Sequence, residues 1–444
     1  MSERAPESNL PDPDDLTVTT VGPCTWPSPL LQRDLGFVDD DHGVLCSSDT
    51  RNLARYLEAG RLPPAFEEAG PRRLLAFDPP QVTAAVVTCG GLCPGLNDVI
   101  RSLTLTLLYG YGVRRVIGYR YGFAGLADAE TFVPLELTPG AVTDVHSYGG
   151  TILASSRGPQ DPELMVDTLL RDGVSILFCI GGDGTLRGAS AIAAEAERRG
   201  ARIAVVGVPK TIDNDLDWVE RSFGFATAVE AAARTILAAH AEARGALNGI
   251  GLVKLMGRYS GFIAANATLA RPDVNLCLIP EVPFTLEGDG GVFDVLAARL
   301  TQRHHAVVVV AEGAGQELLP PADMTDASGN ARLADIGTWL RNKFVTGLSA
   351  RGIRPDVKYL DPSYEIRALP ANAYDAAFCL SLGQMAAHAG MSGKSDVVVG
   401  YHHRHFTHLP IAVATAERRQ LRPDHDLWQR VLQSTGQPGQ LIGR

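Results

Sequence analysis

From Val82 onward, short, mainly apolar runs alternate with longer stretches whose apolar residues recur at helical spacing. The runs at residues 84–88, 175–180, 203–208, 251–256, 306–311 and 397–401 are short and apolar apart from Thr88, Ser175 and Lys254. That pattern predicts strands buried on both faces. After the first run, Leu96, Val99, Ile100, Leu103 and Leu107 keep to one helical face. Residues 188–198 form a second helical stretch, rich in alanine, that stops before Gly200, a natural C-cap. Strand and helix in strict alternation predict an α/β fold. The expected architecture is two Rossmann-like domains with parallel-rich sheets and helices on both faces, plus an N-terminal extension.

The pattern changes at both ends. Residues 1–16 are rich in Pro, Asp, Glu and Ser and are expected to be disordered. Residues 18–77 are broken by prolines into short apolar pieces, which predicts an irregular extension wrapped on the main body. The expected division is therefore an extension over 1–80, an α/β domain over 81–225, a second α/β domain over 226–413 with a possible crossing back between the two, and a tail over 414–444.

Charge and composition narrow the partners. A formal net charge of −10 argues against nucleic acid, which needs a basic face. It leaves room for a phosphorylated substrate, since only the site itself must be basic. No apolar run approaches the roughly 18–20 residues needed to cross a bilayer, and the polar start lacks a secretory signal, so no membrane partner and a cytoplasmic address are expected. The 7 cysteines form no C-x-x-C pair and several lie in predicted strands, which points to reduced, buried thiols.

The candidate chemistry lies just past predicted strand ends, where ligands bind in open α/β sheets. Thr88-Cys89-Gly90-Gly91-Leu92-Cys93-Pro94-Gly95 is a glycine turn running into a helix, suited to an anion but also common as plain packing. Gly181-Gly182-Asp183-Gly184-Thr185 offers a second phosphate nest, with Asp183 placed either to meet Mg²⁺ or merely to cap the helix. Pro209-Lys210-Thr211-Ile212-Asp213-Asn214-Asp215, followed by Asp217, is the most specific string. If it is extended, Asp213 and Asp215 point the same way, one holding metal or water while the other takes a proton. The alternative is a solvated acidic loop. Lys254-Leu255-Met256-Gly257-Arg258-Tyr259-Ser260-Gly261 and the segment from Lys358 through Tyr364 to Arg367 add cations and hydroxyls, any one of which alone is usually surface chemistry. Four histidines in Tyr401-His402-His403-Arg404-His405-Phe406-Thr407-His408 raise the idea of zinc, with His403 and His405 on one strand face; the alternative is a solvent-facing strand.

Taken together and in this order, these motifs resemble the ATP/pyrophosphate 6-phosphofructokinase family over about residues 82–411. The likeness is strongest to the atypical ATP-dependent branch of plants and kinetoplastids. The resemblance implies transfer of the γ-phosphoryl of ATP to the 1-hydroxyl of fructose 6-phosphate, with Asp213 as general base, assisted by Thr211 and Lys210. It implies Mg²⁺ at Asp183 and Asp215, and nucleotide contacts from Gly91, Arg157, Gly182, Asp183, Gly184 and Thr185. Met256, Gly257, Arg258 and Glu281 would line the sugar pocket, and Lys358, Tyr364 and Arg367 would hold the 6-phosphate. Gly184 matches ATP users and Lys210 pyrophosphate users; the pairing is that of the atypical ATP branch, where a flexible lysine can swing aside. Asn248-Gly249 departs from the bacterial pattern, which has a neighbouring-subunit arginine there, and Tyr364 replaces a histidine. The family's shared sites imply a homotetramer or homodimer. A pyrophosphate-dependent enzyme, a kinase of another sugar phosphate such as sedoheptulose 7-phosphate, and a non-catalytic regulatory subunit are the alternatives.

Overall fold

In the computed structural model, which describes residues 10–320 and 332–443, the apolar runs are strands of two sheets. The larger has 9 strands in the order Gly43–Leu45, Ala65–Glu68, His405–Pro410, Val397–His402, Ala204–Pro209, Ile176–Gly181, Thr83–Thr88, Arg115–Tyr119, Leu135–Glu136. From Val397–His402 to Arg115–Tyr119 the pairing is parallel, and antiparallel strands finish both edges. Its central strands Thr83–Thr88, Ile176–Gly181 and Ala204–Pro209 are buried at every position, which is why they read as continuous apolar runs. The smaller sheet has 4 strands, all parallel: Leu276–Leu278, His305–Ala311, Gly249–Leu255 and Asp356–Leu360.

Chain order in the larger sheet creates the functional crevice. Thr83–Thr88 is followed on one side by Arg115–Tyr119 and on the other by Ile176–Gly181. Helices leaving in opposite directions open a gap at such a reversal. The turns after Thr83–Thr88 and Ile176–Gly181 flank it, and the turn after Ala204–Pro209 lies beside it. Gly95, which opens helix Leu96–Leu105, has φ 104, and a Cβ there would stand 2.6 Å from Cys379 Sγ, so only glycine fits. Cys379 belongs to Ala373–Met391, a helix that packs on Leu96–Leu105 and precedes the return of the chain to the large sheet at Val397. Residues 373–410 thus rejoin the larger sheet after the smaller one is built.

Several expectations need correction. The predicted disorder over 1–16 falls partly outside the described residues, but Pro13–Leu16 is a 3₁₀ turn whose Leu16 is buried. The extension is more regular than its prolines imply. Ala65–Glu68 pairs with His405–Pro410 and carries Gly43–Leu45 on its far side, and Thr19–Thr20 pairs with Lys394–Ser395. The histidine segment is a hairpin and not a solvent-facing strand. His403 and Arg404 have φ 47 and 71, the two-residue turn that matches strand twist. His403 and His405 therefore share no strand face, while His402 and His408 are buried.

A buried ionic cluster fastens the extension. Arg72 donates to Asp40 and Glu67, each at 2.8 Å, and Lys394 Nζ reaches the same two carboxylates. Burial disfavours a charged Glu67, yet its bonds to His408 and Lys394 outweigh this and hold its pKa below the ordinary value. Removing one member of such a cluster leaves uncompensated buried charge. Arg72→Met is expected to lower stability by about 3–5 kcal/mol, read as a fall in the urea midpoint; an unchanged midpoint would contradict the fastening role.

Candidate active site

A cleft of about 800 Å³ lies between the carboxyl ends of the two sheets. One wall is the first glycine turn. Gly90 donates its N–H to the Ser156 carbonyl at 2.9 Å and accepts from Ser155 Oγ at 2.6 Å, which pins residues 155–157 beside it. Arg157 consequently lies against Gly91, where an added Cβ would sit 3.3 Å from its Nη2.

The second glycine turn starts helix Asp183–Arg198. Gly182 is the N-cap, so Asp183 is not a capping residue, and the positive end of the helix is left without a side-chain cap beside the cleft. Space around Gly184 is open: an added Cβ would meet nothing within 4 Å. A larger residue there would project into the cleft that Gly184 lines. Thr185 packs beneath, its Oγ1 lying 2.2 Å from where a Cβ on Gly181 would be.

The third segment ends its strand at Pro209 and then turns, so Asp213 and Asp215 do not lie on an extended stretch. Asn214 has φ 55, a conformation that asparagine tolerates better than most residues. Its side chain explains the shape: Oδ1 accepts from Ser222 N–H at 2.8 Å and Nδ2 donates to the Glu220 carbonyl at 3.0 Å. Ser222 Oγ in turn accepts from Thr211 N–H at 3.0 Å. This lattice sets the two carboxylates apart in role. Thr211 Oγ1 donates to Asp215 Oδ1 at 2.5 Å, while Asp213 Oδ2 accepts a long bond of 3.4 Å from the Arg258 N–H. Asp213 Oδ1 is buried with no hydrogen-bond partner among the described residues. Burial first, then the charges of Asp215 and Glu312, push the Asp213 pKa from 3.8 up to about 7.

Lys210 is not the flexible lysine expected. It is buried, donates to the Gly91 carbonyl at 2.9 Å, and so bridges the third segment to the first glycine turn. Burial lowers its pKa, opposed by the neighbouring Cys93 and Cys89.

Asp183 and Asp215 converge on one cation. Arg418 reaches Asp183 Oδ2 at 3.4 Å and Asp215 Oδ2 at 3.5 Å. Two carboxylate oxygens close enough to share a guanidinium are also hard donors that suit Mg²⁺, so the residues present fit that ion.

The cleft wall also includes Arg258 and Arg367, but not Met256, Gly257, Glu281, Lys358 or Tyr364. Met256 is buried in the core beneath the smaller sheet. Gly257, at φ 131, lets the chain turn out of its strand; a Cβ would come 2.5 Å from the Ser260 carbonyl. Glu281 Oε1 accepts from Gly261 and Leu421 N–H groups at 2.9 and 2.7 Å, and burial raises its pKa. Lys358 pairs with Asp356, and Tyr364 is 85% exposed. Wall residues that sequence reasoning missed are Glu312, Arg187 and Arg418, with Tyr259 quoted but given no role. Glu312 directly follows strand His305–Ala311, a strand-end signal that was available. Arg418 comes from the tail and had no local signal.

A phosphofructokinase family model matches residues 83–390. An ATP-dependent 6-phosphofructokinase of Amycolatopsis methanolica is 46% identical over 440 residues, 96% of either chain. One from Trypanosoma brucei brucei is 51% identical over 372 residues, covering 83% of this chain and 76% of the relative. ATP-dependent 6-phosphofructokinase 7 of Arabidopsis thaliana is 44% identical over 417 residues, covering 93% and 85%. The crystal structure of a pyrophosphate-dependent phosphofructokinase from Marinobacter aquaeolei matches with a TM-score of 0.66 at 20% identity, over 80% of this chain and 91% of that one, a likeness of fold. The switch-point cleft, its two glycine turns and this extent of sequence identity lead to one assignment: the chain belongs to the phosphofructokinase family.

Proposed function

We propose that this chain is an ATP-dependent 6-phosphofructokinase, moving the γ-phosphoryl of Mg-ATP to the 1-hydroxyl of fructose 6-phosphate, a glycolytic step. The observation that carries the reading is Asp213. Its Oδ1 is a buried acceptor without a partner, beside an open cleft, with a pKa raised to about 7. A base with that pKa is poised to accept a proton near neutral pH.

In this reading the sugar hydroxyl loses its proton to Asp213 Oδ1 as its oxygen bonds to the γ-phosphorus and the bond to the β–γ bridging oxygen breaks. Thr211 fixes Asp215 and borders the transferred group. The cap-free start of helix Asp183–Arg198 and Arg157 hold the nucleotide phosphates, and Arg258 and Arg367 hold the sugar phosphate. Asp183 and Asp215 would hold Mg²⁺, which neutralises phosphate charge when bound. Arg418 lies against the same two carboxylates.

The open space at Gly184 supports ATP as donor, since an acidic side chain there would meet the nucleotide's inner phosphate. Lys210 favours a second reading, pyrophosphate, because it is fixed at the phosphate end of the cleft. The intact Asp183, Asp213 and Asp215 weigh against a regulatory subunit. The exposed Tyr364 and the pairing of Lys358 with Asp356 leave the cleft without two of the family's sugar-phosphate contacts, which supports a homo-oligomer whose subunits complete one another's sites. No helix among the described residues is long and apolar enough to cross a membrane. All seven cysteines are free, which suits a reducing, cytoplasmic setting.

Asp213→Ser is expected to lower kcat by about 10²–10⁴-fold, the usual worth of a general base, while fructose 6-phosphate still binds; unchanged turnover would remove Asp213 from the role. The pH profile follows from the same group. Protonation disables the base, so kcat/KM should fall tenfold per unit below about pH 7 and level off above it. A profile flat down to about pH 5 would contradict the raised pKa.

A further inference from the structure

Outside the cleft, the His402–His405 hairpin and the end of the catalytic turn bring Glu220, His402 and His403 together, their ligand atoms all within 4.8 Å of one another. His402 Nε2 lies 3.1 Å from the Cys46 carbonyl. A carbonyl only accepts, so Nε2 carries the proton and Nδ1 presents its lone pair. That Nδ1 is buried and has no hydrogen-bond partner among the described residues. On a His402 side chain only 8% exposed, it faces Glu220 Oε1 at 3.6 Å. His403 Nε2 stands 4.0 Å from the same oxygen, while its own N–H occupies Glu220 Oε2 at 3.1 Å. One carboxylate oxygen and two imidazole nitrogens are thus left facing each other.

We propose that Glu220, His402 and His403 form a binding site for a divalent transition metal of the Zn²⁺ class, separate from the Mg²⁺ site and with its fourth position left to water. Ligands at 2.0–2.2 Å around a tetrahedral ion lie roughly 3.3–3.5 Å apart. The 3.6 Å and 4.0 Å separations are close to that spacing, and the partly exposed His403 ring, which lies 4.0 Å from the His402 ring between centroids, would swing to aim its nitrogen at the same ion. The supporting contacts are those a metal-bound histidine uses: the second ring nitrogen donates to a backbone carbonyl. Phe66 and Trp218 meet the His402 ring edge-on at centroid distances of 5.3 and 6.0 Å, which fixes its plane. The Arg419 guanidinium donates to the Val219 and Glu220 carbonyls.

Position gives the site a consequence. The Glu220 carbonyl accepts from Asn214, which shapes the turn carrying Asp213. A metal would tie that turn to the hairpin and to the extension through Cys46.

The test uses the full-length protein, stripped with EDTA and held in excess Mg²⁺, titrated with Zn²⁺ against a chromophoric chelator and, separately, with Co²⁺ followed by visible absorption. Glu220→Gln keeps the backbone contacts, and His403→Asn keeps a residue that tolerates positive φ. Wild type should take up one Zn²⁺ per chain, give a tetrahedral Co²⁺ spectrum and gain in Tm. Each variant should bind at least about tenfold more weakly and lose the spectrum and the Tm gain. Absence of saturable uptake by wild type would overturn the proposal, as would equal affinity in wild type and both variants.

Discussion

The structure turns on keeping acidic groups together in a half-closed cleft. Asp183, Asp213, Asp215 and Glu312 all line it, and mutual repulsion with partial desolvation would drive them apart or protonate them. Two responses are visible. Asp213, desolvated and facing Asp215 and Glu312, shifts its pKa toward neutrality. Asp183 and Asp215 share Arg418. Cations therefore reach the cleft from the body of the sheet, from Arg258 and Arg367, and from the tail. A protein with a net charge of −10 still offers a phosphate-binding site because of that concentration.

The scaffold makes this arrangement rigid. Each glycine turn leaves a strand buried at every position, and their separation is set by sheet register: Thr88 pairs with Ile180 and Gly181 with Pro209. Lys210, reaching back to Gly91, ties the third turn to the first. Sites held by strand ends rather than by free loops keep reacting groups aligned, the main protein contribution to phosphoryl transfer.

What could be read from sequence was what is local. Short apolar runs gave six strands to within a residue or two, and helix Leu96–Leu105 followed from its spacing. Gly-Gly-Asp-Gly-Thr and Thr-Ile-Asp-Asn-Asp lay at strand ends, and the structure puts them on one cleft. The misses depend on distant partners. Asn214 turns left-handed because Glu220 and Ser222 hold its side chain, so alternation of Asp213 and Asp215 was a poor guide. The proline-broken extension supplies edge strands only because His405–Pro410 offers an edge to pair with. His402 and His403 face Glu220, nearly two hundred residues earlier in the chain, so no short spacing could show it.

The most direct measurement is the initial rate with fructose 6-phosphate and Mg²⁺, using ATP or pyrophosphate as donor. The account predicts turnover with ATP and little with pyrophosphate, because the open space at Gly184 admits the nucleotide. Turnover with pyrophosphate alone would contradict it and make Lys210 the residue that decides the donor.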